Sequence, residues 1–191
     1  MISKIVERHH FDGLHASSLA FWVISLVHDN PLLPLFKNPY RSLKTAGLKQ
    51  GQKVLEVGCG PGFFTIPAAK IIGEQGLIYA IDVNQRSIKR VEEKKRKLNV
   101  DNIKTILGNA ADSGLQDGSI DLAFIFGLRF VAGGLSNLIS EMYRILKVGG
   151  ILSFERTITS DNKLIEEVRR VGFSETEEKG RIFVFAKEEI K

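Results

Sequence analysis

The sequence is poor in cysteine and lacks a long apolar run. Cys59 is the single cysteine among 191 residues, which excludes an internal disulfide and a metal site built from several cysteines. No apolar run reaches the ~18 residues of a transmembrane helix, and the polar residues after Met1 are not typical of a signal peptide. The net charge of +5 is too small to indicate nucleic-acid binding by itself. These absences favour a cytoplasmic protein without a metal site.

The length predicts one domain over residues 1–191, with an N-terminal helical cap (1–50) and a core (51–191). In the cap, Leu14–His28 carries no Asp, Glu, Lys or Arg and is typical of a buried helix. Asn38 followed by Pro39 is typical of a helix start, so a short helix is predicted over Pro39–Ala46.

From Lys53 onward, strand-like apolar runs alternate with helical segments. The predicted strands are Lys53–Val57, Leu77–Ile81, Ile103–Leu107, Ile120–Phe126, Ile151–Glu155, Phe173–Glu178 and Arg181–Lys187. The predicted helices are Gly62–Ile72, a helix capped by Asn84 and ending near Leu98, Gly134–Lys147 and Asp161–Val171. This alternation indicates a parallel α/β sheet with helices on both faces, and Lys179-Gly180 predicts a closing hairpin.

Three glycines at alternate positions, Gly58, Gly60 and Gly62, join the first strand to the first helix. Glycine adopts positive φ at little cost and lets a ligand approach the backbone. The dinucleotide fingerprint G-x-G-x-x-G places its third glycine three residues after the second, whereas here the interval is two. A tight turn that binds nothing is the alternative, but three glycines cost chain entropy without a ligand to justify them.

The segment Glu56-Val57-Gly58-Cys59-Gly60-Pro61-Gly62 resembles motif I of the class I S-adenosylmethionine (SAM) dependent methyltransferases. The overall pattern is most similar to the small-molecule enzymes of the ubiquinone/menaquinone biosynthesis group, over about residues 40–187. The resemblance implies a Rossmann-like, doubly wound, seven-stranded sheet of order 3-2-1-4-5-7-6, with strand 7 antiparallel. It also implies methyl transfer from SAM to a small-molecule acceptor, leaving S-adenosylhomocysteine (SAH). In such sheets the ligand binds at the carboxyl ends of strands 1 and 4, where the strand order reverses.

The resemblance assigns parts of SAM to particular residues. Asp82, about 20 residues after the glycine turn, is placed to accept both ribose hydroxyls, although a solvated turn aspartate would look the same. Asn109 stands where the family often has aspartate, and its amide can still pair with adenine; an ordinary turn is the alternative. The expected cofactor-binding residues are Glu56, Gly58, Cys59, Gly60, Gly62, Asp82, Val83, Asn109, Ala110 and Phe126.

Two residues of motif I have open or limited roles. Glu56 can hold the ammonium group of SAM, directly or through water. It can instead be a buried acid that accepts hydrogen bonds from local backbone, and the sequence favours neither role over the other. Cys59 is expected to contribute its backbone only, because a nucleophilic thiol needs a base and none lies nearby in the sequence.

The catalytic residues are not identified by the sequence. A sulfonium methyl is already activated, so the protein mainly aligns donor and acceptor and excludes water. Where the acceptor needs a general base or other help, the candidates are His28, Arg129 and Glu155, each of which is more often structural.

By the same resemblance, Leu14–His28 and Leu128–Gly134 are expected to cover the methyl group. Phe21 and Trp22 either line an apolar acceptor pocket or simply pack in the core. A helix lying on a membrane surface is disfavoured, because its polar face lacks Lys and Arg. Nucleic-acid methylation is disfavoured because the Asn/Asp-Pro-Pro-Tyr/Phe motif of those enzymes is absent after strand 4. A SAM-binding regulatory protein without methyl transfer stays open as the alternative, and the oligomeric state is not indicated.

Overall fold

A computed structural model describes residues 38–127, 133–155 and 161–189. The predicted helix Leu14–His28 lies outside the described residues, as does Arg129. The helices are α1 (Pro39–Thr45), α2 (Thr65–Ile72), α3 (Gln85–Leu98), α4 (Leu135–Ile145) and α5 (Asp161–Val171). The strands are β1 (Lys53–Val57), β2 (Leu77–Asp82), β3 (Ile103–Leu107), β4 (Ile120–Ile125), β5 (Leu146–Glu155), β6 (Phe173–Lys179) and β7 (Ile182–Lys187).

The strands form one seven-stranded sheet in the order β3-β2-β1-β4-β5-β7-β6. Strands β1 to β5 are parallel to one another, and β7 is antiparallel to both β5 and β6. The predicted order and the antiparallel strand 7 are therefore confirmed. The order reverses between β1 and β4, and the ligand of such a sheet binds at the carboxyl ends of the strands beside this reversal.

Side-chain caps begin two of the predicted helices. The Oδ1 atom of Asn38 accepts a hydrogen bond from the Arg41 N–H at 3.2 Å, and Oδ1 of Asn84 accepts one from the Arg86 N–H at 2.9 Å. Each bond satisfies one of the backbone donors that a helix start leaves unpaired. Both helices therefore begin where the sequence predicts, directly after the asparagine.

The helix after the glycine turn begins later than predicted, at Thr65 instead of Gly62. Gly62 has φ +87°, which a right-handed helix does not allow. The glycine turn therefore continues through residue 64. Strand β4 also differs from the prediction, because it ends at Ile125 and not at Phe126.

The prediction was also wrong about the boundary between α4 and β5. The helix ends at Ile145, not Lys147, and β5 begins at Leu146, not Ile151. Leu146 pairs with Ile120 before the register with β4 shifts, so residues 147–150 form an irregularity inside the strand. In the sequence, Lys147-Val148-Gly149-Gly150 looks like a turn, because an irregular strand and a loop have similar composition.

The hairpin turn is one residue later than predicted. Lys179 is the last residue of β6 and pairs with Ile182, so the turn consists of Gly180 and Arg181. Gly180 has φ +64°, the conformation that such tight turns require at their first central position.

Two buried clusters cover the two faces of the sheet. Leu43 of α1 and Val91 of α3 join the first cluster, while Leu138 of α4 and Val168 of α5 join the second. Alternate residues of a strand contribute to opposite clusters, as with Phe124 and its neighbours. Helices therefore cover both faces, and the polar turns collect at the carboxyl edge. Within the described ranges, no helix has the length and apolar character needed to cross a membrane.

Candidate functional site

The carboxyl ends of three central strands lie side by side. Val57, the last residue of β1, is in register with Ile81 of β2 and Ile125 of β4. The glycine turn follows Val57 directly, and Asp82 follows Ile81. The sheet therefore brings the glycine turn and the predicted ribose-binding aspartate to one point on its edge.

The glycine turn is built from positive φ angles. Gly58, Gly60 and Gly62 have φ of +73°, +52° and +87°. A Cβ added to Gly62 would lie 3.2 Å from Cγ2 of Val91 on α3, whereas a Cβ on Gly60 would meet nothing within 4 Å. The turn is thus packed closely against α3 at its third glycine and open at its second. A ligand can therefore approach the backbone closely at Gly60.

Asp82 fastens the glycine turn to the start of α3. Its Oδ2 accepts a hydrogen bond from the Gly60 N–H and its Oδ1 accepts one from the Asn84 N–H, both at 2.8 Å. A carboxylate oxygen can accept more than one hydrogen bond, so Asp82 is the type of side chain that binds a diol. Sequence reasoning missed the fastening role, although an aspartate that bonds the N–H two residues on is a common turn signal.

Glu56 is buried and bonded to a residue that sequence reasoning missed. It is 3% exposed, and its Oε2 accepts a hydrogen bond of 2.6 Å from the hydroxyl of Thr65, in the first turn of α2. Burial raises the pKa of Glu56 to about 8; the charge of Asp82 adds to this and the Thr65 bond opposes it. Glu56 is therefore mostly protonated at neutral pH, and an approaching ammonium group would favour its ionised form.

Cys59 offers no reactive thiol. Burial, followed by the nearby charges of Glu56 and Asp82, raises the pKa of Cys59, and the residue is 4% exposed. Its N–H donates to the Ile81 carbonyl at 3.1 Å and its own carbonyl accepts from Gly62 at 3.0 Å. These backbone bonds shape the turn, in line with the backbone role that the sequence predicts.

The segment after β3 forms a compact turn headed by Asn109. Its Oδ1 accepts a hydrogen bond from the Ala111 N–H at 3.0 Å and so caps the 3-10 helix Ala110–Asp112. The amide oxygen keeps one lone pair for a ligand amine. Asn109 and Ala111 also line a cavity of about 420 Å³ between this turn and α4. The capping bond shows that Asn109 has the structural role of an ordinary turn residue. A role in binding adenine stays a prediction.

The remaining predicted cofactor residues differ in exposure. Val83 is 46% exposed beside Asp82, and Leu107, which sequence reasoning missed, is 54% exposed opposite Asp82 on β3. These apolar side chains can pack against a flat ligand. Phe126 is buried, with its ring centroid 5.2 Å from that of Phe64. Its ring belongs to the core, so a contact with a ligand at the edge would come from its main chain.

Of the three catalytic candidates, the structure describes Glu155 only. Glu155 is the last residue of β5, which lies two strands from β1, or about 10 Å at the usual strand spacing. A cavity of about 520 Å³ lies on that side of the sheet, between α1 and Lys179 at the hairpin turn. His28 and Arg129 lie outside the described residues. Across residues 38–127, 133–155 and 161–189, no group of three His, Cys, Asp or Glu side chains could hold a metal ion.

Comparisons with known proteins agree with this arrangement. A family model described as a methyltransferase domain matches residues 48–186. Demethylmenaquinone methyltransferase of Geobacillus stearothermophilus is 34% identical over 110 residues, which are 57% of this chain and 47% of the relative. The enzyme of that name from Staphylococcus aureus (strain MRSA252) is 36% identical over 113 residues, 59% of this chain and 46% of the relative. The chain spans about half the length of the curated relatives it matches.

A solved structure extends the likeness over more of the chain. The crystal structure of a SAM dependent methyltransferase from Aquifex aeolicus has a TM-score of 0.69 and 26% identity, and the match covers 83% of this chain and 93% of that one. The fold and the family resemblance expected from motif I are therefore confirmed. The roles of individual residues are not tested by these comparisons.

Proposed function

This chain belongs to the methyltransferase domain family, and on that premise we propose that it transfers a methyl group from SAM to a small-molecule acceptor and releases SAH. One observation carries the proposal. The glycine turn follows β1, Asp82 is the last residue of β2 and Asn109 lies just after β3, so all three lie at the carboxyl ends of adjacent strands. The ligand site of a doubly wound sheet lies at this edge.

Each part of SAM has a matching group in this arrangement. Backbone at Gly58–Gly62, open at Gly60, is assigned to the methionine part, and Asp82 to the ribose hydroxyls. Asn109 and Ala110 are assigned to adenine, with the exposed side chain of Val83 packed against the base. Glu56, beneath the turn, is assigned to the ammonium group, which stabilises its ionised form when bound. The chemical groups that these contacts need are present, and the space beside Gly60 is open, so the residues fit SAM.

The protein's contribution to the reaction is binding and alignment. When bound, SAM supplies an electrophilic methyl group: its bond to sulfur breaks as a bond to the acceptor's nucleophilic atom forms. Asp82 fixes the glycine turn against α3, so the donor site is formed before the ligand arrives and little ordering entropy remains to be lost. Holding the two reacting atoms in line and excluding water account for most of such a rate enhancement.

The acceptor and its surroundings are further parts of the proposal. Because the relatives are demethylmenaquinone methyltransferases, an acceptor of the menaquinone-precursor class is favoured. An apolar pocket with Phe21 and Trp22 and catalytic help from His28, Arg129 or Glu155 stay predictions. So do a cytoplasmic location and the division into a cap and a core. Contact with a membrane surface stays disfavoured. No observation favours the regulatory alternative.

Calorimetric titration with SAM and SAH tests the proposed site. We expect micromolar binding by the wild type and at least a tenfold loss in Asp82→Ala, about 1.4 kcal/mol. Asp101→Ala is the matched control, because this exposed aspartate precedes β3 at the opposite edge of the sheet. It should bind like the wild type. A folded wild type that binds neither ligand would refute the proposal, and equal affinity in both variants would remove Asp82 from the site.

A further inference from the structure

A buried carboxylate on α4 holds the segment that follows the turn headed by Asn109. Glu141 is 8% exposed, and its Oε1 accepts hydrogen bonds from the N–H and the hydroxyl of Ser113, at 2.9 and 2.6 Å. Nη2 of Arg144 donates to the same oxygen at 2.7 Å, and Nε of Arg144 donates to Oε2 at 2.8 Å. Four donors therefore converge on one carboxylate, and Ser113 itself is 7% exposed.

Arg144 extends this attachment along the same segment. Its Nη2 also donates to the Leu115 carbonyl at 2.8 Å, and its Nη1 pairs with the carboxylate of Asp117. The Arg144 carbonyl accepts from the Gly118 N–H at 3.0 Å. Residues 113–118 are thus fastened to α4 at several points, and the Glu141–Arg144 pair is at the centre.

The attachment point is the last residue of the turn that Asn109 begins. Asn109 caps the 3-10 helix Ala110–Asp112 at one end, and Ser113 is its C-terminal cap residue at the other. The Asp112 N–H closes the turn by donating to the Asn109 carbonyl at 3.0 Å. A turn this short moves as a unit, so a shift of Ser113 displaces Asn109 and Ala110.

We propose that Glu141 is a positioning residue for adenine recognition: it fixes Ser113 and thereby the orientation of the Asn109–Ala110 turn toward the base. The inference rests on the proposed function, because it presumes that adenine binds at this turn. Burial raises the pKa of Glu141, but the hydrogen bonds from Arg144 and Ser113 outweigh it and hold the pKa below its usual range. The carboxylate is therefore charged at neutral pH, and its hydrogen bonds are of the stronger, charge-assisted kind.

The chain offers a closely matched control pair. On α5, Glu167 accepts hydrogen bonds from Arg170 at the same spacing of three residues, from Nε at 3.0 Å and Nη2 at 2.8 Å. It also receives a hydrogen bond from Ser136, as Glu141 does from Ser113. Each carboxylate has an arginine and a serine side chain as partners. Glu141 also accepts the Ser113 N–H, and Glu167 is not attached to the segment after β3.

The test compares SAH with S-inosylhomocysteine, in which the 6-amino group of adenine is replaced by an oxo group. Glu141→Gln keeps the shape of the side chain but replaces one accepting oxygen by an NH₂ group. That group cannot accept hydrogen bonds from Arg144 or Ser113. We expect the wild type to prefer SAH at least tenfold. In Glu141→Gln that preference should fall to below threefold, because SAH binding weakens at least fivefold while binding of the analogue changes less than twofold. Glu167→Gln should keep the full preference.

The outcomes separate this inference from the proposed function. A wild type that binds neither ligand removes the proposed function and this inference with it. A wild type that prefers SAH, with the preference unchanged or with both affinities weakened equally in Glu141→Gln, overturns this inference alone. If Glu141→Gln does not fold, Ser113→Ala replaces it, because it removes one of the four donors and leaves the Glu141–Arg144 pair in place. A twofold to fivefold loss of preference would then support the inference, and no change would overturn it.

Discussion

The two sides of the sheet are built in different ways. On the cofactor side, β1–β3 and the turns after them, polar side chains at the edge bind nearby backbone, as Asp82 does with Gly60 at 2.8 Å. In the other half of the sheet, β5–β7, the strands are held by aromatic packing, such as Phe154 and Phe185 with ring centroids 6.2 Å apart. The first half is therefore held at its edge by hydrogen bonds between polar groups, whereas the second half is held by packing between rings on different strands.

The largest effect that we expect is a dependence of stability on pH, and it comes from Glu56, the buried acid of the cofactor side. Glu56 has an ordinary pKa of 4.5 when unfolded and about 8 when folded. Between these values the unfolded chain has lost the proton that the folded chain keeps, so stability falls as the pH rises from about 4.5 to 8. The two pKa values bound the loss at about 5 kcal/mol.

The measurement is urea unfolding from pH 4.5 to 8, for the wild type and Glu56→Gln. The glutamine keeps an oxygen that can accept from Thr65 but does not titrate, so the variant should lack this part of the pH dependence. Its stability relative to the wild type should increase with pH. Parallel curves for the two proteins would show that Glu56 does not titrate in this range.

The second difference compares two glycines with positive φ, one on each side. Alanine at Gly62 is strained by φ +87° and would contact Val91, whereas at Gly180, with φ +64°, nothing lies within 4 Å of the new Cβ. We expect Gly62→Ala to lose about 2–3 kcal/mol and Gly180→Ala about 1 kcal/mol in denaturant unfolding. SAH affinity should fall at least tenfold in the first variant and stay unchanged in the second. A similar loss of SAH affinity in the two variants would mean that the strain of either alanine disturbs the whole fold and not the SAM site alone.

The third and smallest difference compares two buried hydroxyls. Thr65 donates to Glu56 at 2.6 Å on the cofactor side, and Ser153 of β5 donates to the Ala46 carbonyl at 2.8 Å. Thr65→Val leaves a buried carboxyl without this partner, so we expect a loss of about 1–2 kcal/mol and weaker SAH binding. Ser153→Ala should cost about 1 kcal/mol and leave SAH binding unchanged. Thermal unfolding and calorimetry check both, and weaker SAH binding in Ser153→Ala would contradict the separation of the two sides.

The sequence predicted most of the fold because its signals are local. Strands such as Lys53–Val57 and helix starts after Asn38 and Asn84 depend on a few neighbouring residues, and all three have the predicted position. The errors occur where pairing between strands decides. Leu146 is a strand residue because it pairs with Ile120, about 26 residues away, and no neighbour of Leu146 carries that information.

The candidate site was predictable to a similar extent. The glycine turn and Asp82 are recognised by their spacing, and the sheet brings them together as expected. Thr65 and Glu141 were missed, because each acts through a partner 9 or 28 residues away. A threonine at the start of a helix and a glutamate within one have ordinary local roles, so only the folded geometry shows their connection to the site.

The most direct test of the account is the mapping of backbone amide shifts on addition of SAH. The account predicts that the large changes fall on the cofactor side, at Gly58–Gly62, Asp82–Val83 and Asn109–Ala110. Amides of the β6–β7 hairpin around Gly180 should change little. Saturable shifts concentrated at the hairpin, or no shifts at the three turns, would contradict the assignment of the SAM site to the carboxyl ends of β1–β3.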